Sequence, residues 1–234
     1  GVDPAIEKFE KIVAQGYSIA VFPEGTRTPD GKLKRFHKGA FFLAEKLHLD
    51  IAPLVLHGIH HTMQKGDFML FDGTMTMKFL PRITPQDTSY GNGYAERAKN
   101  ISKLFKSNLA TLKNQIETPA YFAQKLVSNY YYKGSAIERA AKKFTQKTPL
   151  INILHSHLPQ QGSIVELHSG YGFFTFMLYL LESSRNITSV ESNEEQRSIA
   201  ANCYMANEQL SFLPNINAVQ NRHFDAVLAH GKDA

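Results

Sequence analysis

Six consecutive residues, Phe22-Pro23-Glu24-Gly25-Thr26-Arg27, bring together groups that a phosphate needs. Gly25 lets the backbone approach a ligand closely. Thr26 offers a hydroxyl, and Arg27 presents a planar fork of donors that matches phosphate oxygens. The apolar run Ile19-Ala20-Val21 comes directly before, so 18–22 is predicted as a buried strand opening into a loop. Lys34, Arg35, His37 and Lys38 follow and add positive charge. A second candidate lies in Ile164-Val165-Glu166-Leu167-His168-Ser169-Gly170-Tyr171-Gly172. There an apolar strand with an acid runs into a glycine-bearing turn, and a helix follows. Val190-Glu191 closes the next apolar run with another acid, and Asn193 follows it.

Other reactive side chains carry less. His57, His60 and His61 have no recognised zinc spacing, and no cysteine or acid is placed to complete a site. They read as a polar loop after a strand, and no metal site is expected. His155 and His157 read as a solvated helix end. Phe122 and Tyr130–Tyr132 could form an apolar lid over the second candidate, but core or interface aromatics are the simpler reading.

The elements that must position these residues follow from punctuation and periodicity. Asp3-Pro4 starts a helix whose apolar face is Ile6, Phe9, Ile12 and Val13, and Gly16 ends it. Thr28-Pro29-Asp30-Gly31 is a turn. A helix is predicted over 37–48, a strand holding Pro53 over 50–56, a glycine-bearing loop over 57–73, and a strand over 74–83. The segment 94–116 reads as a long helix, with a domain boundary near Glu117-Thr118-Pro119. Ser135 and Glu138 have the spacing of a capping box. Strands over 164–167 and 187–190 alternate with helices over 173–181 and 194–207, and further strands are predicted over 215–219 and 224–229. Such alternation implies a parallel, doubly wound sheet.

Composition narrows the partners. Of the net charge of +5, the first 117 residues hold 16 basic against 12 acidic groups. That excess suits an anionic substrate or membrane surface and is too scattered for nucleic acid. The single cysteine, Cys203, permits no intrachain disulfide. No leader-like segment opens the sequence, and the longest nearly apolar run, 172–181, falls short of the roughly 20 residues a membrane helix needs. Any membrane contact is therefore expected to be peripheral.

Over about residues 1–90 the sequence resembles the lysophospholipid (1-acylglycerol-3-phosphate) acyltransferase family. The block 22–27 resembles its acceptor-binding motif, Phe36-His37-Lys38-Gly39-Ala40 its next segment, and Ile51-Ala52-Pro53-Leu54-Val55 its proline-bearing strand. Gly58 and Lys65-Gly66 continue the order. The resemblance implies that Glu24, Gly25, Thr26 and Arg27 bind the acceptor phosphate and that Lys38 lends charge. It implies acyl transfer from acyl-CoA or acyl carrier protein to a lysophospholipid, at the cytoplasmic face of a membrane. The family's base is a histidine with an aspartate five positions later, upstream of the phosphate loop. None of the ten histidines here has that partner, and none precedes Glu24. The expectation is therefore that the natural polypeptide extends upstream and that this chain alone is inactive in acyl transfer.

The segment 164–172 resembles the first motif of class I S-adenosylmethionine-dependent methyltransferases. That resemblance implies cofactor binding by Glu166, Gly170, Gly172 and Glu191, with Glu191 accepting from ribose hydroxyls. His168 stands where the family has its first glycine, so the turn must tolerate a side chain. His223-Phe224-Asp225-Ala226-Val227-Leu228 resembles the fourth strand, and later strands would lie beyond the sequence. The fold expected is α/β: a partial acyltransferase domain over 1–117 and a Rossmann-like parallel-sheet domain over 118–234, both truncated. Such fusions also imply an upstream membrane domain in a larger polypeptide. Two alternatives stand beside this: a methyltransferase with a non-catalytic lipid-phosphate module, and a non-catalytic module that senses lysophospholipid phosphates.

Overall fold

The structure is a computed structural model that describes residues 4–28, 31–63, 66 and 73–230. The chain is mixed α/β and divides into two compact units, Gly1–Asn114 and Gln115–Ala234. Among the described residues, no helix is long and apolar enough to cross a membrane.

In the first unit, α1 spans Pro4–Ala14 and closes where Gly16 N–H reaches Val13 O and Tyr17 N–H reaches Ile12 O. Its expected cap, Asp3, lies outside the described residues, as do Pro29, Asp30 and Lys65. The strand predicted over 18–22 does not form. A strand exists only when a neighbour takes its backbone bonds, and no described strand lies beside this one; Val21 and Phe22 are exposed. Helix α2 spans Gly39–Lys46, shorter than predicted. Strand β1 (Leu54–His57) pairs antiparallel with β2 (Thr76–Phe79), and the short helix α3 (Ile59–Thr62) follows β1. Both strands are shorter than predicted because Pro53 and Pro81 have no N–H to give a ladder. Beyond the prolines, only an Ile51–Ile83 bridge continues the pairing. Helix α4 spans Tyr94–Ile116, and Tyr94 N–H donates to Glu45 Oε2 of α2 at 2.6 Å. Phe36, Phe41, Ile83, Ala98 and Ile101 form the core, with Phe105 edge-on to Phe36.

The second unit opens with α5 (Pro119–Ser128), α6 (Ser135–Thr145) and α7 (Thr148–His157). Tyr130–Tyr132 lie in turns after α5. The predicted capping box does not form. Gly134, not Ser135, holds the N-cap, so Ser135 is already helical and Glu138 pairs with Lys142 instead. Then β3 (Gly162–Leu167), α8 (Phe173–Leu181), β4 (Arg185–Val190), α9 (Glu194–Ala201), β5 (Leu210–Leu213) and β6 (Ala226–Ala229) follow. The strand predicted over 215–219 is a 3-10 turn, because the Asn215 side chain caps Ala218 N–H; the strand lies earlier, at β5. All pairings in this sheet are parallel, in the order β5-β4-β3-β6. The chain thus leaves β3 towards one edge for β4 and β5, then returns for β6. That reversal makes a topological switch point between β3 and β6, the place where open parallel sheets bind ligands at their carboxyl ends. Phe122, Leu126, Tyr130, Ile151, Phe176 and Met177 centre the larger core. Val165, Val190 and Val219 form a smaller one.

Candidate functional site

The first candidate is a loop closed by its own backbone. Pro23 O accepts from His37 N–H at 2.7 Å, and Glu24 Oε2 accepts from Lys34 N–H at 2.8 Å. Gly25 sits at φ +71°, where its N–H closes a turn on Phe22 O. The conformation favours glycine, and a Cβ there would press on the His37 ring at 3.2 Å. The same closure brings Gly25 beside the start of α2. Lys38 is the N-cap residue, and the first helical bond is Phe42 N–H to Lys38 O. The amides of the first turn carry the positive end of the helix dipole and have no partners within the helix. Thr26, Arg27, Lys34, Arg35 and Lys38 are exposed around them, and Arg27 Nη1 donates to Met63 O at 3.3 Å. The loop thus gathers cations and open amides where an anion binds favourably. Glu24, the one acid among the described residues of this loop, is occupied in closing it.

The second candidate stands at the carboxyl ends of β3 and β4. Glu166, fully buried, receives Thr175 Oγ1–H on one oxygen, and its other oxygen lies 2.8 Å from His230 Nε2. Glu191 accepts Gly170 N–H on one oxygen and Asn193 N–H on the other, each at 2.8 Å. Both acids therefore hold the protein's own donors. The turn between β3 and α8 needs left-handed backbone at His168 (φ +58°), Gly170 (φ +58°) and Gly172 (φ +75°). The two glycines serve different ends. A Cβ on Gly172 would press on Ala200, Phe176 and Phe212 at 3.2–3.4 Å, whereas one on Gly170 would meet only Gln196 Oε1 at 3.8 Å. Gly172 thus permits close packing, and Gly170 leaves room at the sheet's edge. Tyr130 holds the turn from below, donating to Tyr171 O at 2.8 Å with its ring edge-on to Phe173. Tyr130 and Phe122 are core residues rather than a lid, while Tyr132 is fully open to solvent.

Sequence reasoning passed over His230 and Thr175. Each left a trace: Thr175 is the one short polar residue in Phe173–Leu181, and His230 directly follows the fourth strand of the sheet. The Glu166 carboxylate raises the His230 pKa against the opposing effects of burial and the Lys147 charge. His155 is not on a solvated helix end. Its Nδ1 lies 3.0 Å from Nη1 of the fully buried Arg185, and burial, then that guanidinium, lower its pKa. Cys203 is a buried thiol pushed up to about 11 by desolvation, which makes it inert.

Comparison with known proteins adds to the first candidate. Residues 3–57 match the acyltransferase family. A 1-acyl-sn-glycerol-3-phosphate acyltransferase of Limnanthes alba is 41% identical over 81 residues, covering 35% of this chain and 29% of that protein. The beta enzyme of that name from Homo sapiens is 32% identical over 74 residues, covering 32% and 27%. A crystal structure of the 1-acyl-sn-glycerophosphate (LPA) acyltransferase PlsC from Thermotoga maritima is 28% identical with a TM-score of 0.43, covering 47% of this chain and 45% of that one. The matched part is less than a third of each curated relative's length. Within residues 3–57, which include the loop from Pro23 to Lys38, the chain is thus similar in sequence to acyltransferases.

Proposed function

We propose that the first unit holds the phosphate of a 1-acylglycerol 3-phosphate acceptor for acyl transfer in phospholipid synthesis. The closed loop from Pro23 to Lys38, with its cations gathered at the start of α2, carries this reading. Arg27 forks onto the phosphate oxygens, Gly25 and Thr26 offer a close backbone and a hydroxyl, and Lys38 adds charge at the helix start. Glu24 shapes the loop by holding Lys34 N–H. The acyl donor is a thioester of coenzyme A or acyl carrier protein, and the reaction takes place at the cytoplasmic face of a membrane. The base for the acceptor hydroxyl comes from a His-x4-Asp pair that no histidine in this sequence supplies. The chain alone therefore binds acceptor without turning it over. Calorimetric titration with 1-oleoylglycerol 3-phosphate below its micelle concentration tests this. Arg27→Ala should weaken binding by about 1.5–3 kcal/mol, the worth of hydrogen bonds to a charged group. Equal affinity of the variant and the parent chain would remove the assignment.

The strand order of the second unit supports a second reading, an S-adenosylmethionine-binding unit. The order β5-β4-β3-β6 is the 3-2-1-4 of doubly wound sheets, with the glycine turn at the end of its first strand. The space over Gly170 fits a cofactor passing close to the backbone. In this reading Glu191, directly after β4, takes ribose hydroxyls on its remaining lone pairs. The cofactor, when bound, would supply an electrophilic methyl group. Titration with S-adenosylhomocysteine tests the reading, and loss of binding in Glu191→Ala is the expected outcome.

A further inference from the structure

The acid that the turn motif would spend on a cofactor is instead buried against a histidine. Glu166 has no exposed surface, and the His230 side chain keeps about 29% of its own. The two strands that carry them are neighbours, with Glu166 opposite Leu228 and Leu167 opposite Ala229. His230 N–H continues the ladder to Leu167 O at 3.3 Å. His230 is thereby fixed where β6 ends, at the switch point of the sheet. The ring packs edge-on to Phe174 at 5.5 Å. Its Nε2 is held by Glu166, and Nδ1 makes no hydrogen bond among the described residues.

We propose that His230, oriented by Glu166, is the proton-accepting group for a ligand hydroxyl or amine bound at the carboxyl edge of the parallel sheet. The geometry fixes the roles of the two nitrogens. With Nε2–H donating to the carboxylate, the neutral imidazole keeps its lone pair on Nδ1. The step is a proton transfer: the ligand's O–H or N–H bond breaks, the electron pair stays on oxygen or nitrogen, and the proton bonds to Nδ1. The resulting imidazolium is stabilised by Glu166, as a buried carboxylate stabilises the histidine of a hydrolase triad. Thr175 completes the set as a positioning residue, because its hydroxyl holds the second carboxylate oxygen. The charges that act on the ring are Glu166 on β3, which favours the cation, and Lys147 ahead of α7, which opposes it. This assignment rests on the second unit's cofactor reading, since alkylation of a hydroxyl or amine is the reaction that releases such a proton.

The test uses diethyl pyrocarbonate on the intact chain, with modification of each histidine followed by peptide mass spectrometry, alongside calorimetry with S-adenosylhomocysteine. The expected result has two parts. The His230 rate rises with pH through a midpoint above the ordinary histidine value, and Glu166→Gln lowers that midpoint. S-adenosylhomocysteine at ten times its dissociation constant slows modification of His230 about tenfold, by mass action, and leaves His157 unchanged. The protection arm uses the parent chain, so it stands if the variant folds poorly. Calorimetric binding without protection of His230 overturns the proposal and leaves the cofactor reading standing. Absence of calorimetric binding removes that reading and this proposal together.

Discussion

His168 is an exposed, non-glycine residue with φ +58°, in a turn whose other two left-handed positions are glycines. An L-residue there costs roughly 1–2 kcal/mol, because its Cβ crowds the following carbonyl. His168→Gly should therefore raise stability, by about 1 kcal/mol once the extra freedom of unfolded glycine is subtracted. His168→Ala keeps the strain and should not. Urea midpoints of the two variants decide this: equal midpoints would mean that the turn relaxes around a side chain at no cost. The sequence showed that this position departs from a glycine pattern. It could not show the pairing of Glu166 with His230, which lie 64 residues apart and meet only through strand order. The same limit applied to Arg185, whose buried Nε donates to Pro159 O and whose Nη1 meets His155 Nδ1 of α7 and Leu178 O of α8.

At the scale of elements, apolar runs bounded by glycines were the most legible. The segment 173–181 is read as a helix and forms one, because Gly172 starts it and most of its apolar residues, Phe174, Phe176, Met177, Leu178 and Leu181, are buried in the core. Strands were legible only where neighbours exist. Residues 18–22 have the composition of a strand but no paired partner among the described residues, and 215–219 lost to local capping by Asn215. Prolines trimmed β1 and β2 where pattern alone ran on. Capping carries a clear prediction at α9. Asn193 Oδ1 accepts from Gln196 N–H at 3.1 Å, while Asn193 N–H donates to Glu191. Asn193→Ala should cost about 1 kcal/mol, whereas Asn193→Asp should keep most of it. Chemical denaturation followed by circular dichroism separates them. No loss in either variant would show that the backbone bond to Glu191, not the side-chain cap, holds the start of the helix.

For the molecule as a whole, two histidines of the second unit set opposite pH slopes. His230 titrates above its ordinary value of 6.5 because Glu166 accepts its hydrogen bond. The folded state then keeps its proton to higher pH than the unfolded chain does. That stabilisation is complete below 6.5 and is lost as pH rises through the folded value. His155 titrates below 6.5, first through burial and then through the Arg185 guanidinium. Here the unfolded chain binds a proton that the folded state refuses, so stability falls as pH drops from 6.5 towards the folded value. Between about pH 5 and about pH 8, where histidine dominates titration, these two groups give a stability maximum near the ordinary histidine value. Amide exchange of β3 and β4, read by mass spectrometry and corrected for intrinsic rates, reports on this unit separately from the first. His155→Gln should remove the loss on the acid side while keeping the alkaline slope. Glu166→Gln should do the reverse, from a lower starting stability, because it breaks a fully buried hydrogen-bonded carboxylate. If both variants keep both slopes, other groups set the pH response, and the Glu166–His230 pair has no part in it.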